Sequence, residues 1–114
     1  NLDNLCIIVD NNGLQIEGTV DEVVGPEPLD SKLEAFGFDV QTINGHDFEE
    51  LEQAFQKAKT VTGKPSAIIM KTVKGKGVSF MENHLGWHGS APNKEQYDVA
   101  MADLQKILAG LEEK

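Results

Sequence analysis

Five consecutive apolar residues, Leu5-Cys6-Ile7-Ile8-Val9, stand between polar Asn4 and Asp10. An unbroken run of that length is what a parallel strand covered on both faces requires, and it predicts a strand over Leu5 to Val9. Phe38 to Ile43 and Ala67 to Met70 are the second and third strand candidates, each following a breaker: Gly37 in one case, Gly63 with Pro65 in the other. Between the first two lies a short helical pattern from Leu29 to Phe36, which Gly37 is expected to stop. Asp47 with Glu50 three residues on reads as an N-cap with capping-box character. Phe48, Leu51, Phe55 and Ala58 then recur at helical spacing and predict a second helix with one apolar face. Asn93 and Gln96 repeat the capping logic after Pro92. From there Tyr97, Met101, Leu104, Leu108 and Leu111 form a stripe on a long terminal helix ending in Glu112-Glu113-Lys114, and that stripe is expected to be core. Val23 to Pro28 reads as a loop, and no repeat, linker or low-complexity segment divides the chain.

Strand, helix, strand, helix, strand implies an α/β fold: a parallel sheet with right-handed crossovers, flanked by helices. A parallel sheet of three strands wants cover on both faces and neighbours at both edges, so an edge is expected to be missing.

With 114 residues the chain has room for one domain, spanning 1–114, which buries roughly two thirds of its unfolded surface. Hydrophobic residues at 39% and charged residues at 25% are ordinary globular values and argue against a disordered tail. No apolar run reaches membrane length and no basic region precedes one, so a soluble, cytoplasmic protein without a membrane partner is expected. Nineteen acidic residues against ten lysines and no arginine give a net charge of -9, which opposes nucleic-acid binding. Cys6, the single cysteine, cannot form an internal disulfide and is expected to pack as a small hydrophobe. The chain opens with Asn rather than Met, as a piece of a longer protein would.

Asp10-Asn11-Asn12-Gly13 places carbonyl and carboxylate oxygens where the first strand ends, the position at which open α/β sheets bind ligands. Such oxygens, with a glycine that lets the backbone offer carbonyls too, suit a hard cation such as Mg²⁺ held together with phosphates. An Asx-turn that merely terminates the strand uses the same residues, with Asp10 and Asn11 organising the loop by hydrogen bonds. Lys71, Lys74 and Lys76 cluster at the end of the third strand, where they could attract phosphate or form a solvated basic loop. Lys74-Gly75-Lys76-Gly77 is too short for a Walker-type phosphate loop. Of the three histidines, His88 lies in a Gly/Pro-rich loop where it can donate a hydrogen bond, His84 in the same loop reads as structural, and His46 as a turn or capping residue.

The run Val9-Asp10-Asn11-Asn12-Gly13-Leu14-Gln15-Ile16-Glu17-Gly18 resembles the second half of the thiamine-diphosphate motif of transketolases. In that family the motif opens with Gly-Asp-Gly and closes with the Asn; no Gly-Asp-Gly occurs here. A second stretch, Lys74-Gly75-Lys76-Gly77-Val78-Ser79-Phe80-Met81-Glu82-Asn83 followed by Trp87-His88-Gly89-Ser90-Ala91-Pro92-Asn93, is similar to the region that closes the cofactor domain in separately encoded N-terminal subunits of two-gene transketolases. The resemblance runs nearly end to end, and together the two stretches are far more specific than either alone.

The resemblance implies the thiamine-diphosphate-binding fold, with this chain as the later, C-terminal part of the diphosphate-binding domain. It implies two-carbon ketol transfer between sugar phosphates, with thiamine diphosphate and Mg²⁺ as cofactors and the hard chemistry belonging to the cofactor. Asn12 would ligate Mg²⁺ through its side-chain oxygen and Leu14 through its backbone carbonyl. Ile16 aligns with an apolar position that touches the cofactor rings, although a loop residue plugging the core would look the same. His88 would lie beside the diphosphate and the donor ketose, as both a cofactor-binding and a catalytic residue. The implied partners are the upstream half of the same domain and a pyrimidine-binding, C-terminal subunit that supplies the activating Glu, in a homodimer or heterotetramer. Two rival readings are another thiamine-diphosphate enzyme, such as a deoxyxylulose-phosphate synthase or a 2-oxo-acid dehydrogenase component, and an assembly fragment that catalyses nothing alone. The Leu14 to Gly18 run and Trp87-His88-Gly89 favour transketolase. For the isolated chain inactivity is expected, because half the metal motif is absent.

Overall fold

The computed structural model describes residues 1–112. Three strands, β1 (Cys6–Asn11), β4 (Asp39–Asn44) and β5 (Ser66–Lys71), form a parallel sheet in the order β1-β5-β4. Ile8 lies opposite Ile68 and Gln41 opposite Ile68 on the other side, so β5, last in sequence, is central. Between β1 and β4 the chain makes a small hairpin, β2 (Leu14–Gln15) with β3 (Gly18–Thr19), then a helical turn α1 (Val20–Val23) and helix α2 (Leu29–Ala35). Helix α3 (Phe48–Thr60) links β4 to β5, and helix α4 (Lys94–Glu112) ends the described chain. The α/β class and the parallel sheet flanked by helices are as the pattern predicts. Each strand ends one or two residues later than predicted, and β1 includes Asp10 and Asn11 instead of stopping before them.

The caps explain the helix starts. Asp47 accepts from the N–H groups of Glu49 (2.9 Å) and Glu50 (3.1 Å), satisfying donors that the first turn of α3 leaves free. The Glu50 carboxylate does not close the box on Asp47; it takes the Asn44 N–H at 2.7 Å and so ties α3 to the end of β4. Asn93 and Gln96 exchange both bonds at 2.9 Å, a complete capping box in front of α4. At the end of α2, Gly37 takes φ 88°, as a left-handed helix stop requires.

Burial corrects several expectations. The core is small, centred on Ser66, Ala67, Ile68 and Ile69 of β5 with Ala54 of α3 and Val78. Strand β1 is not covered on both faces: exposed and half-buried residues alternate along it, so only one of its faces is partly covered. Its open face carries Ile8, half exposed, and Cys6, which is exposed rather than packed. On α3 the inward residues are Leu51, Ala54 and Ala58, whereas Phe48 is 87% exposed and Phe55 is exposed as well. On α4 the expected core stripe is largely open, with Tyr97, Met101, Leu104, Leu108 and Leu111 all exposed, although Leu104 also approaches Gly77 of the preceding loop. The half-buried line on that helix is Gln96, Ala100 and Asp103, a small and polar face against the loop before it. Glu113 and Lys114, expected to close this helix, lie outside the described residues.

The body is a flattened plate of 51 × 39 × 18 Å with a radius of gyration of 17.2 Å. A compact chain of this length has a radius of gyration near 13 Å, by the usual scaling. Its accessible surface is 7898 Å², against roughly 6,200 Å² for a compact monomer of this mass. Much apolar side chain is exposed, including Ile8 of β1, Phe48 and Phe55 of α3, and Tyr97, Leu104, Leu108 and Leu111 of α4.

Candidate functional site

At the carboxyl end of the sheet, β1 and β5 deliver two loops that face each other across a cleft of about 500 Å³. Asn12, Leu14 and Ile16 line it from the first loop; Lys74, Leu85 and His88 line it from the second. Thus one cleft brings together the four residues that the sequence singles out for cofactor, metal and catalysis, from positions 76 residues apart in the chain.

The first wall is built from backbone. Asn12 is half-buried, and its Oδ1 accepts the Leu14 N–H at 3.0 Å, an Asx-turn that swings the chain into the hairpin. The turn and a metal role are compatible, since an amide oxygen has a second lone pair. The hairpin then leaves one carbonyl free. Leu14 and Thr19 are register partners, yet Leu14 N–H donates to Asn12 and Thr19 N–H donates to Glu22 at 3.0 Å. Val20 N–H donates to the Gly13 carbonyl at 3.0 Å one step along. Leu14 therefore sits in a non-hydrogen-bonded pair, and the ladder makes no claim on its carbonyl oxygen. Asn12 Oδ1 and Leu14 O are hard, neutral oxygens of the kind Mg²⁺ accepts alongside phosphate. Among the described residues no cluster of three His, Cys, Asp or Glu side chains could hold a metal ion.

Ile16 occupies the hairpin tip, 68% exposed, so it does not plug the core. Glu17 shares that tip, and Gly18 opens β3. The hairpin is locked from behind by a capping box that sequence inspection passed over. Thr19 Oγ1 accepts the Glu22 N–H at 3.3 Å, while the Glu22 carboxylate takes both the Thr19 N–H and its hydroxyl, the latter at 2.7 Å. Those bonds, the hydroxyl's foremost, hold the Glu22 carboxyl below the usual carboxylate range. The Thr-x-x-Glu pattern was its available signal.

The second wall is shaped by glycines. Gly75 takes φ 73°, and a Cβ there would lie 2.5 Å from the Met81 carbonyl oxygen. Asn83 N–H closes this loop on the Lys74 carbonyl at 2.9 Å. Glu82 accepts the Gly77 N–H at 3.0 Å, which chiefly lowers its pKa, and pairs with Lys76 at 3.5 Å. From α4, Asp103 accepts the Ser79 N–H at 2.9 Å, while Leu104 and Ile107 lie close against Gly77. Trp87 donates its indole N–H to the Phe80 carbonyl at 3.1 Å and meets the Phe80 ring edge-on at 5.2 Å, which sets the 3₁₀ turn Leu85–His88. His88 ends that turn, exposed to the cleft. His84 faces elsewhere: its Nδ1 caps the turn by accepting the Gly86 N–H at 3.2 Å. His46 is more than a turn residue, because its Nε2 accepts the Val73 N–H at 2.7 Å and ties the exit of β4 to that of β5.

The lysine cluster divides. Lys71 pairs with Glu27 at 3.1 Å and Lys76 with Glu82, whereas Lys74 is half-buried in the cleft and enters no ion pair among the described residues. Glu27 is the other residue that sequence reading passed over. Its carboxylate also receives the Leu29 N–H at 2.9 Å and the Asn11 side-chain amide at 2.7 Å. These donors, the Leu29 N–H first, lower its pKa from 4.5 to about 2. Asp10 accepts the Thr72 hydroxyl, so it fastens the two strand ends together and is not turned to the cleft.

Residues 1–109 match the thiamine diphosphate binding domain of transketolase. The chain belongs to that family. Over 105 residues it is 43% identical to a 6-deoxy-6-sulfo-D-fructose transketolase subunit from Clostridium sp. strain MSTE9, covering 92% of this chain and 38% of that protein. It is 40% identical over 111 residues to an apulose-4-phosphate transketolase subunit from Phocaeicola vulgatus, covering 97% of this chain and 40% of that one. The transketolase structure from Campylobacter jejuni superposes with a TM-score of 0.84 at 38% identity, covering 91% of this chain and 16% of that chain. The chain thus spans about two fifths of the length of the subunits it matches.

Proposed function

We propose that this chain is the C-terminal part of a transketolase diphosphate-binding domain, and that its cleft forms the half of the thiamine-diphosphate site that holds Mg²⁺ and the diphosphate. The observation that carries the reading is the meeting of Asn12, Leu14, Ile16, Lys74 and His88 around one cleft at the carboxyl end of a parallel sheet. Asn12 Oδ1 and the Leu14 carbonyl would hold the ion, Lys74 would face the phosphates, and Ile16 would present an apolar surface to the cofactor rings. When bound, thiamine diphosphate supplies the electron sink for moving a two-carbon ketol unit between sugar phosphates. His88 hydrogen-bonds the donor ketose and the diphosphate, holding a proton where charge develops on the donor's oxygens.

The remaining ion ligands and the pyrimidine site are assigned to other segments: the upstream half of this domain, and a pyrimidine-binding subunit in a homodimer or heterotetramer. Relatives covering this chain with two fifths of their length support that division. The chain of residues 1–114 is accordingly inactive alone. Calorimetry tests this: thiamine diphosphate with Mg²⁺ titrated into the chain gives a flat trace, while the complete assembly binds. Micromolar, Mg²⁺-dependent binding to the chain by itself would overturn the half-site reading.

A further inference from the structure

Behind Asn12, on the side away from the cleft just described, lies a second and smaller recess of about 320 Å³. Asn11, Asn12, Gly13, Glu27, Lys71 and Thr72 contribute to it, so Asn12 forms part of the partition between the two. Glu27 stands there at a junction of the fold. The chain leaves the sheet after Asn11, runs through the hairpin and α1, and returns to the sheet end at Glu27 immediately before α2. The carboxylate takes the Asn11 amide at the end of β1, the Lys71 ammonium at the end of β5 and the Leu29 N–H in the first turn of α2. Asn11 and Lys71 are themselves register partners, so a single side chain bridges two adjacent strand ends and the entry to a helix. An exposed ion pair of this kind contributes little to global stability. What it fixes is the excursion between its two ends, residues 12–26, which carries Asn12, Leu14 and Ile16.

We propose that Glu27 is a positioning residue for the metal loop: by pinning the return of residues 12–26 onto the ends of β1 and β5 it preorganises the oxygens of Asn12 and Leu14. This rests on the reading of the cleft given above. Glu27 touches neither ion nor cofactor; it acts through Asn11 and through the chain it anchors. Removing a partner that orients metal ligands typically costs about 10–100-fold in metal affinity.

The test uses the complete transketolase assembly and two readouts. Hydrogen exchange without cofactor or Mg²⁺ should show faster exchange across residues 12–26 in Glu27→Ala, with β5 and α3 unchanged. The Mg²⁺ concentration for half-maximal thiamine diphosphate binding, followed by calorimetry, should rise about tenfold. Glu27→Gln keeps an acceptor oxygen for Asn11 or Leu29 and should recover much of both effects. Asn12→Ala serves as the reference for the site itself. If Asn12→Ala shifts the Mg²⁺ requirement and Glu27→Ala does not, the positioning role is wrong whether or not exchange quickens. A requirement unmoved by Asn12→Ala overturns the reading of the cleft, and the proposal with it. Unchanged exchange in Glu27→Ala overturns the clamp alone.

Discussion

The two walls of the cleft hold their chemical groups by different means. The wall of residues 12–19 presents oxygens set by hydrogen bonds: an Asx-turn, a two-residue hairpin and a capping box leave Asn12 and the Leu14 carbonyl in place. The wall of residues 74–88 presents side chains, Lys74 and His88, on a loop whose path depends on Gly75 and on the packing of Trp87 with Phe80. The first wall should therefore be indifferent to which side chain stands at position 14, and the second sensitive to a single added methyl at position 75.

The sharpest contrast is in turnover. In the complete assembly His88→Ala should lower ketol transfer by about 10²–10⁴-fold with the fold intact, whereas His84→Ala, which loses a cap for one N–H, should change it little. Steady-state rates at saturating cofactor decide this; a larger loss at His84 would reverse the assignment of the two histidines. On the opposite wall, Asn12→Ala should raise the Mg²⁺ requirement for cofactor binding on the order of a hundredfold, at least as much as loss of an outer-shell partner costs. Leu14→Ala should leave it within about twofold, because a backbone ligand is indifferent to its side chain. Equal damage from both, without unfolding, would show that the carbonyl is not the group in use.

A smaller effect separates the walls in stability. Gly75→Ala places a side chain in the left-handed region, costing about 1–2 kcal/mol before the clash with the Met81 carbonyl is counted. A lowered melting temperature should accompany looser binding, while Gly89→Ala, with nothing within 4 Å of the new Cβ, should melt close to the parent. The smallest effect concerns acid. Glu27 titrates at about 2 when folded, below its ordinary 4.5, so its contribution is complete above the ordinary value and lost as pH falls through about 2. Exchange across residues 12–26 should stay slow down to that range; opening centred near 4.5 would mean that the carboxylate gains nothing from its donors.

Much of this was legible in the chain. The unbroken apolar run of β5 marks a central parallel strand with no polar face, breakers before Phe38 and Ala67 help to locate β4 and β5, and Asp47 and Asn93 mark the helix starts through bonds between near neighbours in sequence. The cleft residues were legible through likeness to transketolases, since an Asn in a turn looks the same whether or not it ligates an ion. Other features depend on contacts that no local pattern records. Spacing cannot say that Lys74 enters no ion pair among the described residues while Lys71 and Lys76 are neutralised by Glu27 and Glu82, 44 and 6 positions away. The outward stripe of α4 has the period of a core-facing one. The direction it faces is decided by the loop that Asp103 and Leu104 meet, not by its own sequence. The hairpin escaped notice because strands of two residues carry no periodicity.

The central place of β5 sets an order of events during synthesis. Among the described residues neither β1 nor β4 has a sheet partner other than β5, so no pair of the sheet can form until Ser66 to Lys71 have left the ribosome. Joining Asp39 to Ser66 closes a shorter span than joining Cys6 to Ser66, a difference in chain entropy of about 0.7 kcal/mol. The unit β4-α3-β5 should form first, with β1 adding to a finished template and bringing Asn12 with it. Pulse-labelling during refolding should find amides of β4 protected before those of β1. The loop proposed to hold the ion is then among the last parts to acquire its shape, and on that proposal a nascent chain would not present its half-site until its sheet is complete.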